Sequence, residues 1–235
     1  MLVKEQCILG IEGSGFSVSI GLMDQGIPKG NLFLNTGTPG SETLLSGIDQ
    51  LLRMLSIPKD GLDGICVTLG PGSFTSLRIC LSTAEALGLG LNIPVYGVDS
   101  LGLIAATVPF YASTVKVIQN AYKGEFYSAS YNTSSGKAVP KSDLSLIKPD
   151  LFYEQLEKGE LILGNGITKL MELQLDLAVK GVVWNQDFQR IASGISVIEH
   201  FLECHVQEPS VVPLEPIYIR LPEAELNYAK QFGKG

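Results

Sequence analysis

The spacing of apolar residues predicts alternating strands and helices in the first part of the chain. Cys7 to Ile11 is a continuous apolar run, and residues 16–23 alternate between apolar and polar, as a half-buried strand does. Residues 31–35 can return as a third strand after a turn. Residues 41–55 carry leucine and isoleucine at helical spacing, and residues 64–69 have the pattern of a buried strand.

A second helix is predicted over residues 74–91, and it is unusually poor in charge. Only Arg78 and Glu85 are ionic within it. A helix of this composition is buried on more than one side, either in its own core or against a partner. Because residues 93–98 again have a strand pattern, the order strand–helix–strand implies parallel pairing of the two strands.

The second half is predicted to contain a hairpin, two helices, a further strand and a compact tail. The hairpin comprises residues 115–119 and 125–131, the helices residues 149–158 and 191–202, the strand residues 161–163, and the tail residues 215–220. The change of pattern along the chain indicates an α/β protein of two lobes. We place the N-terminal lobe at residues 1–103 and the C-terminal lobe at residues 104–235.

The charge balance excludes some classes of function. The chain has 17 basic and 24 acidic residues, a net charge of −7, whereas autonomous nucleic-acid binding needs a basic surface. No apolar stretch reaches the roughly 18 residues of a membrane span, and the N-terminus has no signal-peptide pattern, so we expect a cytoplasmic protein. The four isolated cysteines are predicted to be buried, reduced thiols.

The segment LGPGSFTSLR, residues 69–78, is the most informative motif for chemistry. Its glycines, Gly70 and Gly72, would let the backbone approach an anion, and the following helix would offer free amides. Ser73 or Thr75 could cap that helix. The lysine of a P-loop is absent, and so is the third glycine of a dinucleotide fingerprint. A structural turn and an anion-binding loop both remain open.

A second candidate is the turn after the first strand. Glu12 and Gly13 stand where phosphotransferase-type folds place a contact to metal or phosphate, although an exposed acid at a turn is the simpler alternative. The two histidines, His200 and His205, are five residues apart and face different sides of a helix, unlike an i, i+4 metal pair. The sequence therefore predicts neither a metal site nor a catalytic residue.

Several segments resemble the bacterial TsaB family, also called YeaZ. The central one is GPGSFTSLRICLSTAEALGLGLNIPVYGVDSL, residues 70–101. Four others follow the family's order: ILGIEGSGFSVSIGL at 8–22, SETLLSGIDQLL at 41–52, NAYKGEFYSASY at 120–131 and EPIYIR at 215–220. Together they are spread over most of the chain.

This resemblance implies a fold of the actin/Hsp70/sugar-kinase (ASKHA) type, with two related lobes and mixed central sheets. It also implies a role in adding a threonylcarbamoyl group to the adenosine beside the anticodon of tRNAs that read ANN codons. In that family the protein is a non-catalytic paralogue of TsaD, which is also classed with peptidase family M22. It pairs with TsaD and assembles with the ATPase TsaE. A homodimer can form when it is alone, tRNA is contacted indirectly, and no cofactor is needed, although a nucleotide can lie at a partner interface.

The resemblance further implies that the first two helices contact the partner. The alternative is that both helices belong wholly to the internal core. The expected interface residues are Leu44, Leu45, Ile48, Leu52, Thr75, Ser82, Ala86 and Gly90.

Departures from the family pattern affect the predicted anion-binding loop and not the predicted pairing with TsaD. Glu12 stands where the family usually has aspartate, Asn120 replaces an aspartate and Tyr122 an arginine. The loss of the acid at 120 and of the arginine at 122 indicates that the anion loop, Glu12 and Gly13 with Gly70, Gly72 and Ser73, is vestigial. The alternative function is an ASKHA-type ATPase or phosphotransferase that uses Glu12 and the Gly70–Ser73 loop. An M22-type peptidase is a weaker third hypothesis.

Overall fold

The computed structural model describes residues 6–15, 17–35, 41–121, 123–185, 192–204, 214–217 and 219. Within them the chain forms two mixed β-sheets with helices on both faces of each. The architecture has five layers, in which helices and sheets alternate.

The first sheet contains five strands in the order β3-β2-β1-β4-β5. These are β1 (Cys7–Glu12), β2 (Val18–Asp24), β3 (Ile27–Leu34), β4 (Gly64–Gly70) and β5 (Val95–Asp99). Strands β1, β2 and β3 pair in antiparallel fashion, whereas β4 lies parallel to both β1 and β5. The predicted parallel strand–helix–strand unit is thus confirmed.

The second sheet repeats this plan. Its strands are β6 (Thr114–Asn120), β7 (Phe126–Asn132), β8 (Val139–Pro140), β9 (Ser145–Ile147), β10 (Leu161–Leu163) and β11 (Val183–Asn185). The order is β11-β10-β6-β7-β8, with β9 also on β7; β6 is antiparallel to β7 and parallel to β10. An antiparallel pair followed by parallel strands therefore occurs in both sheets. This confirms the prediction of two related, mixed sheets of the ASKHA type.

Six helices in the described residues fill the layers around the sheets. They are α1 (Ser41–Met54), α2 (Phe74–Leu91), α3 (Ser100–Ala106), α4 (Pro149–Glu154), α5 (Gly166–Glu172) and α6 (Gly194–Cys204), with a 3-10 turn at Lys59–Gly61. Helices α1 and α2 cover the outer face of the first sheet, and α4 and α5 cover the outer face of the second. Helices α3 and α6 lie between the two sheets, where both sheets contribute to one apolar cluster.

Helix α6 returns from the second half of the chain to lie directly on the first sheet. A Cβ placed on Gly21 would be 2.2 Å from the backbone nitrogen of Ile195, and one on Gly10 would be 1.9 Å from the carbonyl oxygen of Gly194. The Gly194 N–H donates to the Ser19 hydroxyl at 3.1 Å. Only glycines allow so close a contact between strand and helix. The lobe boundary after residue 103 stays a prediction. The strands of the first sheet precede it in the sequence and those of the second sheet follow it, but α6, which also follows it, packs on the first sheet.

A buried charged pair joins α6 to the end of β5. The His200 Nε2 lies 3.7 Å from Asp99 Oδ2, and Asp99 also accepts the Gly102 N–H that begins α3. Burial of the imidazole opposes its protonation, but the Asp99 carboxylate, with the Cys204 side chain nearby, raises the pKa of His200 to about 9. In turn the imidazolium holds the pKa of Asp99 below its usual value, although burial opposes this. His200 is therefore a cation in the folded protein at neutral pH.

This pair predicts a loss of stability at alkaline pH. Because the folded pKa of His200 exceeds its unfolded value of about 6.5, its contribution is complete below about pH 6.5 and disappears as pH rises through about 9. We expect the contribution to be about 1–2 kcal/mol, since the Asp99 side chain keeps 41% of its surface exposed. Urea unfolding at about pH 6 and about pH 9.5 measures it.

The control for this prediction is His200→Gln. Buried thiols destabilise the folded chain in the same alkaline range, because burial raises the pKa of Cys7 to about 11 and that of Cys80 to about 12. The difference between the wild-type chain and His200→Gln cancels that shared effect. A difference that is the same at both pH values would contradict the assignment.

Cysteine placement agrees only in part with the sequence prediction. Cys7, Cys66 and Cys80 are buried, but Cys204 is exposed at the last turn of α6, so the prediction that all four are buried is wrong. Position explains the difference, since α6 buries one face only and Cys204 lies at its exposed end. No helix among the described residues is long and apolar enough to cross a membrane.

Candidate docking face and glycine loop

The outer sides of α1 and α2 form an apolar groove of about 440 Å³, which we call the docking face. Its lining residues are Leu45, Arg78, Ile79, Ser82, Thr83, Ala86 and Leu87. Leu45 on α1 is 46% exposed, and Leu89, one turn beyond Glu85 on α2, is 87% exposed. Exposed apolar side chains on neighbouring helices are a feature of protein–protein contact surfaces.

Five of the expected interface residues lie on the exposed side of these helices. They are Leu45, Thr75, Ser82, Ala86 and Gly90. A Cβ on Gly90 would contact nothing within 4 Å, so open space surrounds it. Their role in binding a partner stays a prediction.

The other three expected interface residues are corrected by the structure. Leu44, Ile48 and Leu52 are at most 4% exposed and pack in the core between α1 and the first sheet. They form the main apolar stripe of an amphipathic helix, and that stripe covers the chain's own sheet. A partner cannot reach them. The alternative that both helices are wholly internal is equally wrong, because the opposite side of α2 is exposed.

Sequence reasoning missed several groove residues. Ile79 and Leu87 border α1, and Arg78 lies with its guanidinium carbon 4.1 Å from the centre of the Phe74 ring. For Arg78 the signal was available, because Thr75, Arg78, Ser82, Ala86 and Leu89 recur at spacings of three and four and so lie on one stripe of α2.

The glycine loop packs against the turn that follows β1. The Ser73 N–H donates to the carbonyl oxygen of Ser14 at 2.8 Å, and a Cβ on Gly72 would lie 2.2 Å from that same oxygen. The Gly13 N–H donates to Thr68 Oγ1 at 3.0 Å. These glycines therefore serve close packing between two loops of the same lobe. Ser73 precedes α2 as its N-cap residue, but its side chain makes no capping hydrogen bond.

Glu12 is buried rather than exposed. Its carboxylate accepts the Ser14 N–H at 2.8 Å and the Ser14 hydroxyl at 2.6 Å. Burial raises its pKa, although both hydrogen bonds oppose this. The alternative of an exposed acid at a turn is therefore wrong. The structure does bring Glu12 and Gly13 together with the Gly70–Ser73 loop, as predicted.

The cavity beside this loop is smaller than a nucleotide. A small cavity of about 20 Å³ lies between the two sheets, which is room for about one water molecule. It is lined by Ser14, Gly15, Gly72, Ser73, Gln119, Asn120 and Asn165. The amides of Gly13 and Ser73 are already bonded within the chain, and Glu12 faces Ser14. We therefore derive no ATPase or phosphotransferase step at this loop.

The histidines likewise form no recognisable metal centre among the described residues, where no group of three or more metal-ligating side chains occurs. His200 contacts Asp99, and the Cys204 sulfur lies 3.6 Å from each of its ring nitrogens. His205 lies outside the described residues, as do Tyr122 and Arg220.

Comparison with known proteins identifies the family. Residues 39–225 match the family model described as TsaD, tRNA N6-adenosine threonylcarbamoyltransferase. The chain belongs to this family. Within it, the chain is 25% identical over 225 residues to the tRNA threonylcarbamoyladenosine biosynthesis protein TsaB of Bacillus subtilis, covering 94% of this chain and 97% of that one. It is thus a member of the TsaB (YeaZ) group, as its motifs predicted.

Two further matches define its relation to TsaD and its fold. A tRNA N6-adenosine threonylcarbamoyltransferase of Geotalea daltonii is 45% identical over 60 residues, which is 26% of this chain and 18% of that protein. The structure of YeaZ from Pseudomonas aeruginosa superposes with a TM-score of 0.71 and 17% identity, covering 91% of this chain and 100% of that one. The TsaB fold therefore extends along nearly the whole chain.

Proposed function

We propose that this chain is a non-catalytic subunit required for threonylcarbamoyl transfer to the adenosine beside the anticodon of tRNAs that read ANN codons. The observation that carries the proposal is the docking face, an exposed apolar groove on a chain similar to TsaB along almost its full length. A surface of this kind serves association rather than chemistry.

The partner in this proposal is TsaD. The family model that matches this chain is that of TsaD, so the two proteins share a fold and can pair through equivalent helices. The resemblance implies that the catalytic paralogue TsaD binds metal through histidines in an H-x-x-x-H pair, and this sequence contains no such pair. The chemistry is therefore assigned to TsaD, and this chain stabilises its active form.

The proposed roles of tRNA, TsaE and nucleotide follow from the net charge of the chain and from the packing of the Gly70–Ser73 loop. A net charge of −7 favours leaving most tRNA contact to TsaD and to the ATPase TsaE. Any nucleotide is expected at a partner interface rather than at the Gly70–Ser73 loop. When alone, the chain can use the same face to form a homodimer. Because the substrate of the proposed assembly is tRNA, we expect the assembly to act in the cytoplasm.

Sizing with light scattering tests the pairing. We expect the 25.2 kDa chain and TsaD to elute together as a one-to-one complex that forms at the expense of any homodimer, because both use the docking face. Separate elution at concentrations of tens of micromolar would contradict the proposal, since physiological pairing requires tighter binding.

A further inference from the structure

The tail of the described chain is bonded to α2, the helix that carries most of the docking face. The Leu214 N–H donates to the Glu85 carboxylate at 2.9 Å, and the Ile217 N–H donates to the carbonyl oxygen of Leu69 at 2.8 Å. Leu214 also packs against the outer core of the first sheet. We call residues 214–217 the strap. It runs from the middle of α2 back to the end of β4, antiparallel to the helix.

The helical repeat places the strap opposite α1. Ile79, Thr83 and Leu87 lie on one side of the exposed stripe of α2, and they line the groove together with Leu45 of α1. Glu85 follows Arg78 by seven residues, almost two turns, so it lies close to Arg78 on the flank of the stripe that faces away from Ile79 and Leu87. The exposed stripe of α2 therefore has α1 along one flank and the strap, which is bonded to Glu85, along the other.

The strap presents apolar surface beside this groove. Leu214, Pro216 and Ile217 are only half-buried, whereas Glu215 is exposed. Glu85, one of two ionic residues in α2, bonds the strap through a backbone amide 129 residues away. A charged acceptor on a backbone N–H is a strong hydrogen bond.

We propose that the strap is the second wall of the docking face and that Glu85 is the positioning residue that holds it there. The inference rests on the proposed function, because the occupant is the TsaD partner. A partner that covers the exposed stripe of α2 meets the strap at its edge. It must therefore present apolar side chains there, in contact with Pro216 and Ile217.

The test compares TsaD affinity and thermal stability across variants of the full chain. Glu85→Ala is expected to bind TsaD about tenfold more weakly, equivalent to about 1.4 kcal/mol. Glu85→Gln is expected to bind within about twofold of wild type, because its amide oxygen still accepts the Leu214 N–H. Glu154→Ala, an exposed change on α4, is the matched control and should have no effect.

A purely structural role for Glu85 gives a different result. It would lower the thermal midpoint of Glu85→Ala but leave the TsaD dissociation constant of the folded protein unchanged. Amide exchange at Leu214 in the free chain reports the anchor directly, and we expect its protection to fall in Glu85→Ala and to persist in Glu85→Gln.

Pro216→Asp tests the wall without touching the anchor. Proline has no N–H, so neither strap hydrogen bond is removed, while a carboxylate enters the apolar edge. We expect about tenfold weaker TsaD binding. Wild-type affinity in both Glu85→Ala and Pro216→Asp would overturn the inference and leave the proposed function standing. No TsaD binding by the wild-type chain would overturn the proposed function itself, and the inference with it.

Discussion

Replacing Gly21 by alanine is expected to destabilise the folded chain by about 3 kcal/mol or more. The added Cβ would lie 2.2 Å from the Ile195 nitrogen and 2.5 Å from the Gly194 carbonyl carbon. Both are backbone atoms at the start of α6, so no side-chain rotation relieves the contact. The helix must move off the sheet and lose the packing that Val197 and Ile198 make between the two sheets. Chemical denaturation with urea measures the change.

Gly90→Ala is the matched control, because it makes the same chemical change in open space. A Cβ at Gly90 meets nothing within 4 Å, and alanine favours a helix over glycine by about 1 kcal/mol. We therefore expect the two substitutions to shift the free energy of unfolding in opposite directions. If Gly21→Ala unfolds at the same urea concentration as wild type, α6 does not lie on β1 and β2 as described.

Replacing Ala86 by aspartate is expected to weaken TsaD binding about a hundredfold or more, which corresponds to about 2.7 kcal/mol. Ala86 lies in the floor of the docking face between Ser82 and Leu87. A partner helix packed there would take the new carboxylate out of water, and Arg78, the cation among the lining residues, lies about two turns away with its guanidinium over the Phe74 ring. The free chain should lose only about 0.7 kcal/mol of stability, because the position is exposed and the cost is that of helix propensity. Calorimetry with TsaD measures the affinity.

The control for this variant is Ala178→Asp, which makes the same change in an exposed turn of the second sheet's layer. It should bind TsaD as the wild type does. Equal affinity of Ala86→Asp and Ala178→Asp for TsaD would show that the groove is not the contact surface. Circular dichroism shows whether Ala86→Asp is folded. If its spectrum differs from that of wild type, the lost affinity reflects unfolding, and Ser82→Asp on the same stripe is used as the second test.

Local patterns predicted the first sheet and its helices well because these elements are long and have one side that is more buried than the other. The strand run at β1, the alternation in β2 and the stripe of α1 each reflect which side is buried. Helix α3 escaped prediction for the opposite reason: Ser100 to Ala105 are all buried, so no amphipathic period marks the helix. Strands β8 and β11 have two and three residues, too few for alternation to be recognised.

Long-range placement could not be predicted from local patterns. The return of α6 to the first sheet depends on Gly10 and Gly21 facing Gly194, residues that no short window joins. The hydrogen bond between Glu85 and Leu214 likewise joins residues that are 129 positions apart. Such contacts are set by the fold as a whole.

Helices α1 and α2 carry apolar residues on both their buried and their exposed sides. The strongest stripe of α1, with Leu44 and Ile48, belongs to the chain's own core. Leu45 and Leu89, which fall outside the core-facing stripes, mark the exposed face instead. The glycine motif was correctly located but serves packing, because Gly72 lies against the Ser14 carbonyl. Surplus apolar residues beyond the core stripe are thus the better indicator of a partner surface.

The most direct test of the central claim is reconstituted tRNA modification. Purified TsaD and TsaE are supplied with an ANN-reading tRNA and a threonylcarbamoyl donor, with and without this chain, and threonylcarbamoyladenosine is quantified by mass spectrometry. We expect product only when the chain is present, and no product when the chain replaces TsaD. Equal modification by TsaD and TsaE without the chain, or modification by the chain in the absence of TsaD, would contradict the account.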